Sequence, residues 1–207
     1  MKKSLLALAL FAAMGSAFAD AGQTAVSADV QYQTVDNNTA PNQTQVSLQV
    51  RHWLTKEFAL DGGVSAAQND GANVASSSSK AYKDTNRVEV GALYQRAIVG
   101  PVDGYARLGL GMKEVSGTQA FGYNSEEIGV VYHAPYNFDL KAGYRWRQAN
   151  STDIAAGQND TSQTQRYAVA YNFSKADTVA FNLDKVSVPT NQGPDTTAYH
   201  VTYTRKF

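Results

Sequence analysis

Apolar and polar residues alternate with a period of two along most of this 207-residue chain. The contrast is sharpest over residues 138–147, where the sequence is FDLKAGYRWR. Successive side chains of a β-strand point to opposite faces, so this period predicts strands with one apolar and one polar face. About ten runs of this kind follow one another, separated by segments rich in turn-forming residues.

The segments between the runs alternate between short and long. Short links lie at residues 55–57, 97–103, 134–137 and 174–177, and long polar segments lie at residues 36–42, 69–86, 116–122, 149–162 and 188–195. Outer-membrane barrels have short periplasmic turns and longer extracellular loops. The pattern therefore predicts an all-β fold, a transmembrane antiparallel up-and-down β-barrel of about ten strands, with eight or twelve strands as the alternatives.

Aromatic residues cluster near both ends of the predicted strands, at the level where they favour lipid head groups. The belt expected at the periplasmic rim contains Phe58, Tyr94, Tyr132, Phe138, Phe173 and Phe207. The belt expected at the outer rim contains Tyr32, Tyr123, Trp146, Tyr167 and Tyr199. The same alternation would also suit a soluble, lipocalin-like barrel with an apolar interior.

The N-terminal segment is expected to be a signal peptide. Two lysines precede an apolar stretch at residues 5–14, and residues 17–19 (AFA) form a small-x-small cleavage site. We therefore expect a signal peptide at 1–19 and an outer-membrane β-barrel domain at 20–207, located in the cell outer membrane. This mature chain would carry a charge of −2 with His neutral, which argues against nucleic acid as a partner.

If the apolar faces meet lipid, the charged residues of the strands face the lumen. The residues expected there are nine basic and six acidic ones: Arg51, Arg87, Arg107, Lys113, Lys141, Arg145, Arg147, Arg166, Lys206, Asp29, Asp61, Glu89, Glu127, Asp139 and Asp184. Charges of both signs in a confined space pair, because an isolated charge shielded from water is costly. One interpretation of the lumen is therefore a salt-bridged plug that holds the shape of the barrel.

The other interpretation is a narrow aqueous pore in which the basic surplus favours anions. The hypothesis assigns pore-lining roles to Arg51, Arg87, Arg107, Lys141, Arg145, Arg147, Arg166, Asp61, Glu89, Glu127 and Asp139. A ladder able to bind carboxylates through planar guanidinium groups would consist of Arg107, Arg145, Arg147 and Arg166. Six glycines on the same faces would either leave space in the lumen, or permit curvature of the sheet and accommodate a large facing side chain: Gly63, Gly91, Gly109, Gly111, Gly129 and Gly143.

The chain offers little for catalysis or metal binding. It has three histidines and no cysteine. His52 is expected on the lipid side of the rim, His133 beside a short turn, and His200 next to Thr202 on the inner face of the last strand. None of these positions provides a clear nucleophile and base, and no two histidines have metal-ligand spacing. We predict that the protein is not an enzyme and has no cofactor.

The alternation, the N-terminal segment and the last strand, with Tyr199, Val201, Tyr203 and Phe207, resemble small Gram-negative outer-membrane β-barrel proteins as a class. The resemblance implies that outer-membrane lipids surround the chain and that Phe207 is the signal that the barrel-assembly machinery binds. The Arg-rich residues 140–147 are similar to lumen strands of the oligogalacturonate-specific porins, whose small anion-selective barrels admit acidic oligosaccharides.

These observations predict a narrow, mildly anion-favouring pore for small solutes, with acidic oligosaccharides as one class of solute. The alternative is a closed structural or adhesive barrel that acts through its extracellular loops. The sequence indicates no particular oligomeric state.

Overall fold

The computed structural model describes residues 21–35, 42–69, 84–115, 120–150, 161–189 and 195–207. They form ten strands: β1 (Thr24–Val35), β2 (Gln43–Trp53), β3 (Phe58–Asn69), β4 (Thr85–Val99), β5 (Val102–Val115), β6 (Phe121–Ala134), β7 (Phe138–Ala149), β8 (Ser162–Asn172), β9 (Asp177–Ser187) and β10 (Thr196–Lys206). Within these ranges there is no helix, and hence no helix that could cross a bilayer.

The ten strands close into one antiparallel barrel. Each strand pairs with the strands before and after it in the chain, and β1 pairs with β10 from Ala25 opposite Lys206 to Val35 opposite Thr196. A closed sheet leaves no unpaired edge, which is what allows β-structure to lie in hydrocarbon. The predicted fold class and the predicted number of ten strands are confirmed.

Short and long connections alternate around the barrel. Four short turns join strands at one end, which we call the turn end, at residues 54–57, 100–101, 135–137 and 173–176. The opposite end, which we call the loop end, carries the connections that follow β1, β3, β5, β7 and β9. The predicted signal peptide and most of the residues of the long loops lie outside the described residues.

The turn between β4 and β5 is tighter than the sequence predicted. We expected a link at residues 97–103, but β4 continues to Val99 and β5 begins at Val102. Gly100 makes this possible because its φ of 52° lies in the left-handed region that favours glycine. As a result, Asp103 is a strand residue that faces the lumen.

The exterior of the barrel is apolar. Leu108 and Leu110 on β5 are 64% and 62% exposed, and Phe181 on β9 is 55% exposed, although a water-soluble protein buries most side chains of this kind. The predicted outward residues Leu140 and Val169 are exposed as well. An apolar band around a closed barrel is the arrangement of an outer-membrane protein, and it places this chain in the outer membrane.

Aromatic rings border the apolar band at both ends. At the turn end Phe138 packs against Tyr171, with ring centroids 5.0 Å apart, and at the loop end Tyr144 packs against Trp146 at 4.5 Å. Tyr123 was predicted in the outer belt, but it lies inside the lumen and is 0% exposed. The prediction was wrong because Tyr123 is an even number of residues from the lumen residues of β6, and the strand period therefore turns it inward.

A basic residue in the middle of the apolar band should destabilise the barrel. We expect Leu108→Arg to lower the free energy of unfolding by about 2–4 kcal/mol, because the guanidinium would be transferred into hydrocarbon. Gln163→Arg, on the exposed outer face near the loop end, is the matched control, with an expected loss of about 0–1 kcal/mol. Urea unfolding of the barrel in lipid vesicles measures both values. Equal losses would contradict the assignment of this face to hydrocarbon.

Candidate functional site in the barrel lumen

The lumen holds a cavity that reaches both ends of the barrel. Its volume is about 1020 Å³, and all ten strands contribute to its lining. The lining includes Ala25 and Lys206 at the turn end and Gln33 and Thr85 at the loop end. The chemistry of this site is therefore decided by side chains that project inward from the whole circumference.

Asp61 is the centre of a group of ion pairs on the wall formed by β2 to β5. Its side chain is fully buried, and it accepts hydrogen bonds from Arg51 Nη2 at 3.1 Å and from Arg107 Nε and Nη2 at 3.0 and 2.6 Å. Arg107 also pairs with Glu89 through Nη1. Because the guanidinium binds two carboxylates through separate N–H groups, Arg107 ties β3, β4 and β5 together.

Glu89 extends this group to β6 and β7. Its Oε2 accepts a hydrogen bond from the Tyr123 hydroxyl at 2.7 Å and lies 3.6 Å from Nη2 of Arg147. The guanidinium groups of Arg87 and Arg147 lie 5.6 and 5.0 Å from the centroid of the Tyr123 ring. The face of the ring attracts both cations, so one buried tyrosine holds a carboxylate and two guanidinium groups in place.

Glu127 organises the wall formed by β5 to β8. It accepts hydrogen bonds from the Tyr105 hydroxyl at 2.9 Å and from Arg166 Nη1 at 2.7 Å. Lys141 Nζ lies 3.3 Å from the same carboxylate and 4.3 Å from the centroid of the Tyr105 ring. Three donors thus satisfy a carboxylate that has little access to solvent, as a buried charge requires.

The remaining strands close these contacts into a ring. Asp184 on β9 binds Arg166 Nε at 3.1 Å and lies 3.9 Å from Arg145 Nη2. His200 on β10 lies between Asp184, at 3.5 Å, and Asp29 of β1, at 3.2 Å. Ser47 of β2 then donates to Asp29 at 3.3 Å.

We call this ring the ionic belt, and every one of the ten strands contributes to it. Its members are Asp29, Ser47, Arg51, Asp61, Glu89, Tyr105, Arg107, Tyr123, Glu127, Lys141, Arg145, Arg147, Arg166, Asp184 and His200. The belt neutralises most of the charge in the middle of the lumen, so neighbouring strands are held together by side chains as well as by backbone hydrogen bonds.

A second set of polar contacts follows the turn end of the lumen. Gln95 Nε2 donates to Asp103 at 2.8 Å, and Asn172 Nδ2 donates to Asp139 at 2.8 Å. His133 lies between the two carboxylates, with Nε2 3.2 Å from Asp103 and Nδ1 2.7 Å from Asp139. A neutral imidazole has a single N–H, so pairing with both carboxylates fits the protonated ring.

Inward glycines provide seats for two large side chains. A Cβ added to Gly129 or Gly143 would overlap the Tyr105 side chain, and a Cβ added to Gly111 would overlap Tyr123. Of the two roles that the sequence left open for these glycines, room for a large facing side chain is the one that the structure supports. The Tyr105 side chain therefore lies against the backbone of β6 and β7, and the Tyr123 side chain lies against the backbone of β5.

The structure places all eleven predicted pore-lining residues inside the barrel, and ten of them line the cavity; the exception is Asp61, whose side chain is fully buried. Nine belong to the ionic belt, Arg87 lies against the Tyr123 ring, and Asp139 belongs to the set at the turn end. The predicted arginine ladder is divided between carboxylates: Arg107 and Arg147 both pair with Glu89, whereas Arg145 and Arg166 both pair with Asp184. Phe207 is exposed at the turn end, and its N–H donates to the first residue of β1 at 2.9 Å.

The sequence did not predict one further wall of the lumen, which consists of amide side chains. Gln31 stands opposite Gln45 and Gln33 opposite Gln43 in the register of β1 and β2, and Gln49 lies further along the same face. The alternation in the sequence places most of these residues on the polar face of their strands. Only the register between β1 and β2 shows that the two glutamine pairs are adjacent. Neutral donors and acceptors therefore cover one side of the cavity.

The comparisons with known proteins identify the fold. No protein-family model matches this chain, and no curated protein sequence matches it. An outer membrane channel from Pseudomonas putida F1 superposes with a TM-score of 0.60 and 13% identity, covering 91% of this chain and 97% of that chain. The β domain of the Bordetella autotransporter Brka gives 0.50 and 11%, covering 90% and 99%, and the NanC porin gives 0.46 and 10%, covering 90% and 100%. The first two likenesses show an outer-membrane β-barrel fold.

Removing the central carboxylate of the belt should cost much of the stability. We expect Asp61→Asn to lower the free energy of unfolding by about 3–5 kcal/mol, because two guanidinium groups lose their shared buried counter-charge. Glu57→Gln is the control, since Glu57 meets Arg96 at 3.7 Å with both side chains exposed, and it should cost about 0–1 kcal/mol. Urea unfolding of the vesicle-embedded variants measures both. A small loss for Asp61→Asn would show that the belt contributes little to folding.

A methyl group on a glycine seat should displace the tyrosine above it. We expect Gly143→Ala to cost about 1–3 kcal/mol through overpacking against Tyr105. Gly62→Ala is the matched control, because a Cβ there would meet its nearest neighbour at an ordinary 3.7 Å. In a double-mutant cycle measured by urea unfolding, Tyr105→Ala should remove most of the cost of Gly143→Ala. Additive losses in that cycle would contradict a direct contact between position 143 and the Tyr105 side chain.

Proposed function

We propose that this chain forms a narrow, mildly anion-favouring pore for small solutes. The observation that carries the proposal is the cavity of about 1020 Å³ whose lining extends from the turn end to the loop end. Most members of the ionic belt belong to this lining, although Asp61 and Tyr123 do not. The side chains of Tyr105 and Tyr123 are held by the glycine seats and by their carboxylate partners. A ten-stranded barrel has room for a small pore only, so low conductance is expected.

The preference for anions follows from the charges at the mouth near the long loops. Within two residues of the loop ends of the strands, the inward charged residues are Arg87, Lys113 and Arg147, and no described inward position at that level is a carboxylate. At the turn end, the carboxylates of Asp103 and Asp139 also face the lumen, so that mouth contains charges of both signs. A mouth of one sign with low-dielectric walls focuses the field and raises the local concentration of counter-ions.

Acidic oligosaccharides fit this lumen by their chemistry. Guanidinium groups on one wall suit carboxylates, and the glutamine wall offers both donors and acceptors to sugar hydroxyls. Arg145 is the belt arginine that is most available to a solute anion. Its guanidinium is 3.9 Å from Asp184, whereas the other belt arginines lie closer to their carboxylates.

The second candidate function is a closed structural or adhesive barrel that acts through its extracellular loops. The ionic belt favours it, because contacts from all ten strands brace the lumen at its middle. The two candidates differ in one measurable property, which is ion conductance through the purified, folded protein.

Planar-bilayer recording should show small discrete steps with a preference for anions. In a salt gradient, Arg145→Glu should shift the reversal potential towards cation preference, since a base in the lumen becomes an acid. Lys175→Glu is the control: it makes the same charge reversal in the exposed turn 173–176, outside the cavity lining, and should leave the preference unchanged. The milder Arg145→Gln should give an intermediate shift.

Folding of each variant is checked by the heat-modifiable mobility of outer-membrane barrels on gels. Folded wild-type protein without conductance steps would reject the pore and favour the closed barrel. Steps whose ion preference ignores Arg145 would retain a pore but reject the proposed role of the basic wall.

A further inference from the structure

The outer face of β8 to β10 changes from apolar to polar between two successive rows of paired residues. One row consists of Tyr167, Leu183 and Tyr199, which belong to the apolar band and its aromatic border. The next row towards the loop end pairs Gln165 with Lys185 and Lys185 with Thr197. Aromatic rings mark the level of the lipid head groups, so the second row lies at or just beyond that level.

A groove lies on this polar part of the outer face. It has a volume of about 200 Å³, and it shares only Val186 and Thr196 with the lining of the lumen cavity. It is lined by Tyr144, Gln163, Gln165, Lys185, Val186, Ser187, Asp195, Thr196 and Thr197. The groove therefore combines one ammonium group, two amides and several hydroxyls beside the border of the apolar band.

Two tyrosines of the border fix the amides of the groove. The Tyr144 hydroxyl donates to Gln163 Oε1 at 2.5 Å, and the Tyr167 hydroxyl donates to Gln165 Oε1 at 3.2 Å. Because the amide oxygens are engaged, the amide nitrogens are the groups with which both glutamines can bind a ligand. The fixed orientation lowers the entropy that a ligand would otherwise lose in ordering them.

The groove contains one base, Lys185, and one acid, Asp195. Lys185 is exposed, and in the part of the chain that the structure describes it takes part in no ion pair. The carboxylate in the groove belongs to Asp195, whose two oxygens accept hydrogen bonds from the Ser187 hydroxyl at 3.3 Å and the Val188 N–H at 3.1 Å. The oxygens of Asp195 are thus engaged by neutral donors, whereas the ammonium of Lys185 is available to an incoming anion.

We propose that this groove binds the phosphorylated sugar head group of the outer-leaflet glycolipid. Lys185 would pair with a phosphate, and the amide nitrogens of Gln163 and Gln165 would donate to phosphate or sugar oxygens. The acyl chains would lie along the apolar band below, next to Tyr167 and Tyr199. The location rests on the rule that long loops face the outside of the cell, and it is independent of whether the lumen conducts.

Native mass spectrometry of the folded barrel, released from detergent micelles, tests this proposal. The probes are a synthetic bisphosphorylated disaccharide lipid, the same lipid without phosphates, and phosphatidylglycerol. We expect the barrel to retain the bisphosphorylated lipid about five-fold better than the lipid without phosphates, because one lysine contributes an attraction of that size near a charged head group.

Two lysine variants and the comparison of the three lipids test the assignment. Lys185→Gln should abolish the five-fold preference, and Lys175→Gln, which removes a lysine at the turn end, should leave it intact. Equal retention of the two disaccharide lipids by the wild type, or an unchanged preference in Lys185→Gln, would overturn the site. Equal retention of phosphatidylglycerol would overturn the recognition of a sugar head group. Heat-modifiable mobility confirms that each variant is folded, and lipid retention requires no pore activity.

Discussion

A charge that is shielded from bulk water needs a counter-charge, and this requirement governs the interior of the barrel. Alternation along ten strands sends basic and acidic side chains into a narrow lumen, where each costs free energy unless it is paired. The ionic belt is the result: Asp61, Glu127 and Asp184 are each paired with basic side chains from two different strands. Because the partners are on different strands, satisfying the charges also fixes which strands lie together and how far apart they are.

A small lumen has little room for large side chains, and the two buried tyrosines are accommodated at glycine positions. Tyr105 and Tyr123 carry hydroxyls that reach Glu127 and Glu89, yet their rings are as large as any side chain in the belt. Seating the rings on strand positions without a Cβ keeps this bulk at the wall. The interior therefore combines extensive pairing with a cavity of about 1020 Å³.

The sequence predicted the fold because the strand period and the lengths of the connections are local properties. Side-chain direction follows from position alone, so Arg51, Glu89 and Arg147 were assigned to the lumen without any knowledge of pairing. Tyr123 was assigned to the outer aromatic belt because it lies near the end of a strand, although its even separation from the lumen residues of β6 directs it inward. Asp103 was missed because a glycine with positive φ lengthens two strands. The partners within the belt were beyond sequence reasoning, since they depend on register and on side chains that reach past an adjacent strand, as Arg107 does to Asp61.

The seam between β1 and β10 has a consequence for how the molecule forms. Ser27 and Thr204 are joined by a hydrogen bond although 177 positions separate them in the chain, and the whole seam is built from such distant pairs. Contacts of high sequence separation form slowly, because the entropy of bringing the ends together precedes any gain from pairing. Pairing of β1 with β10 is therefore expected to be a late step of folding. Until it occurs, both strands have unpaired backbone edges to which a chaperone or a template strand could bind.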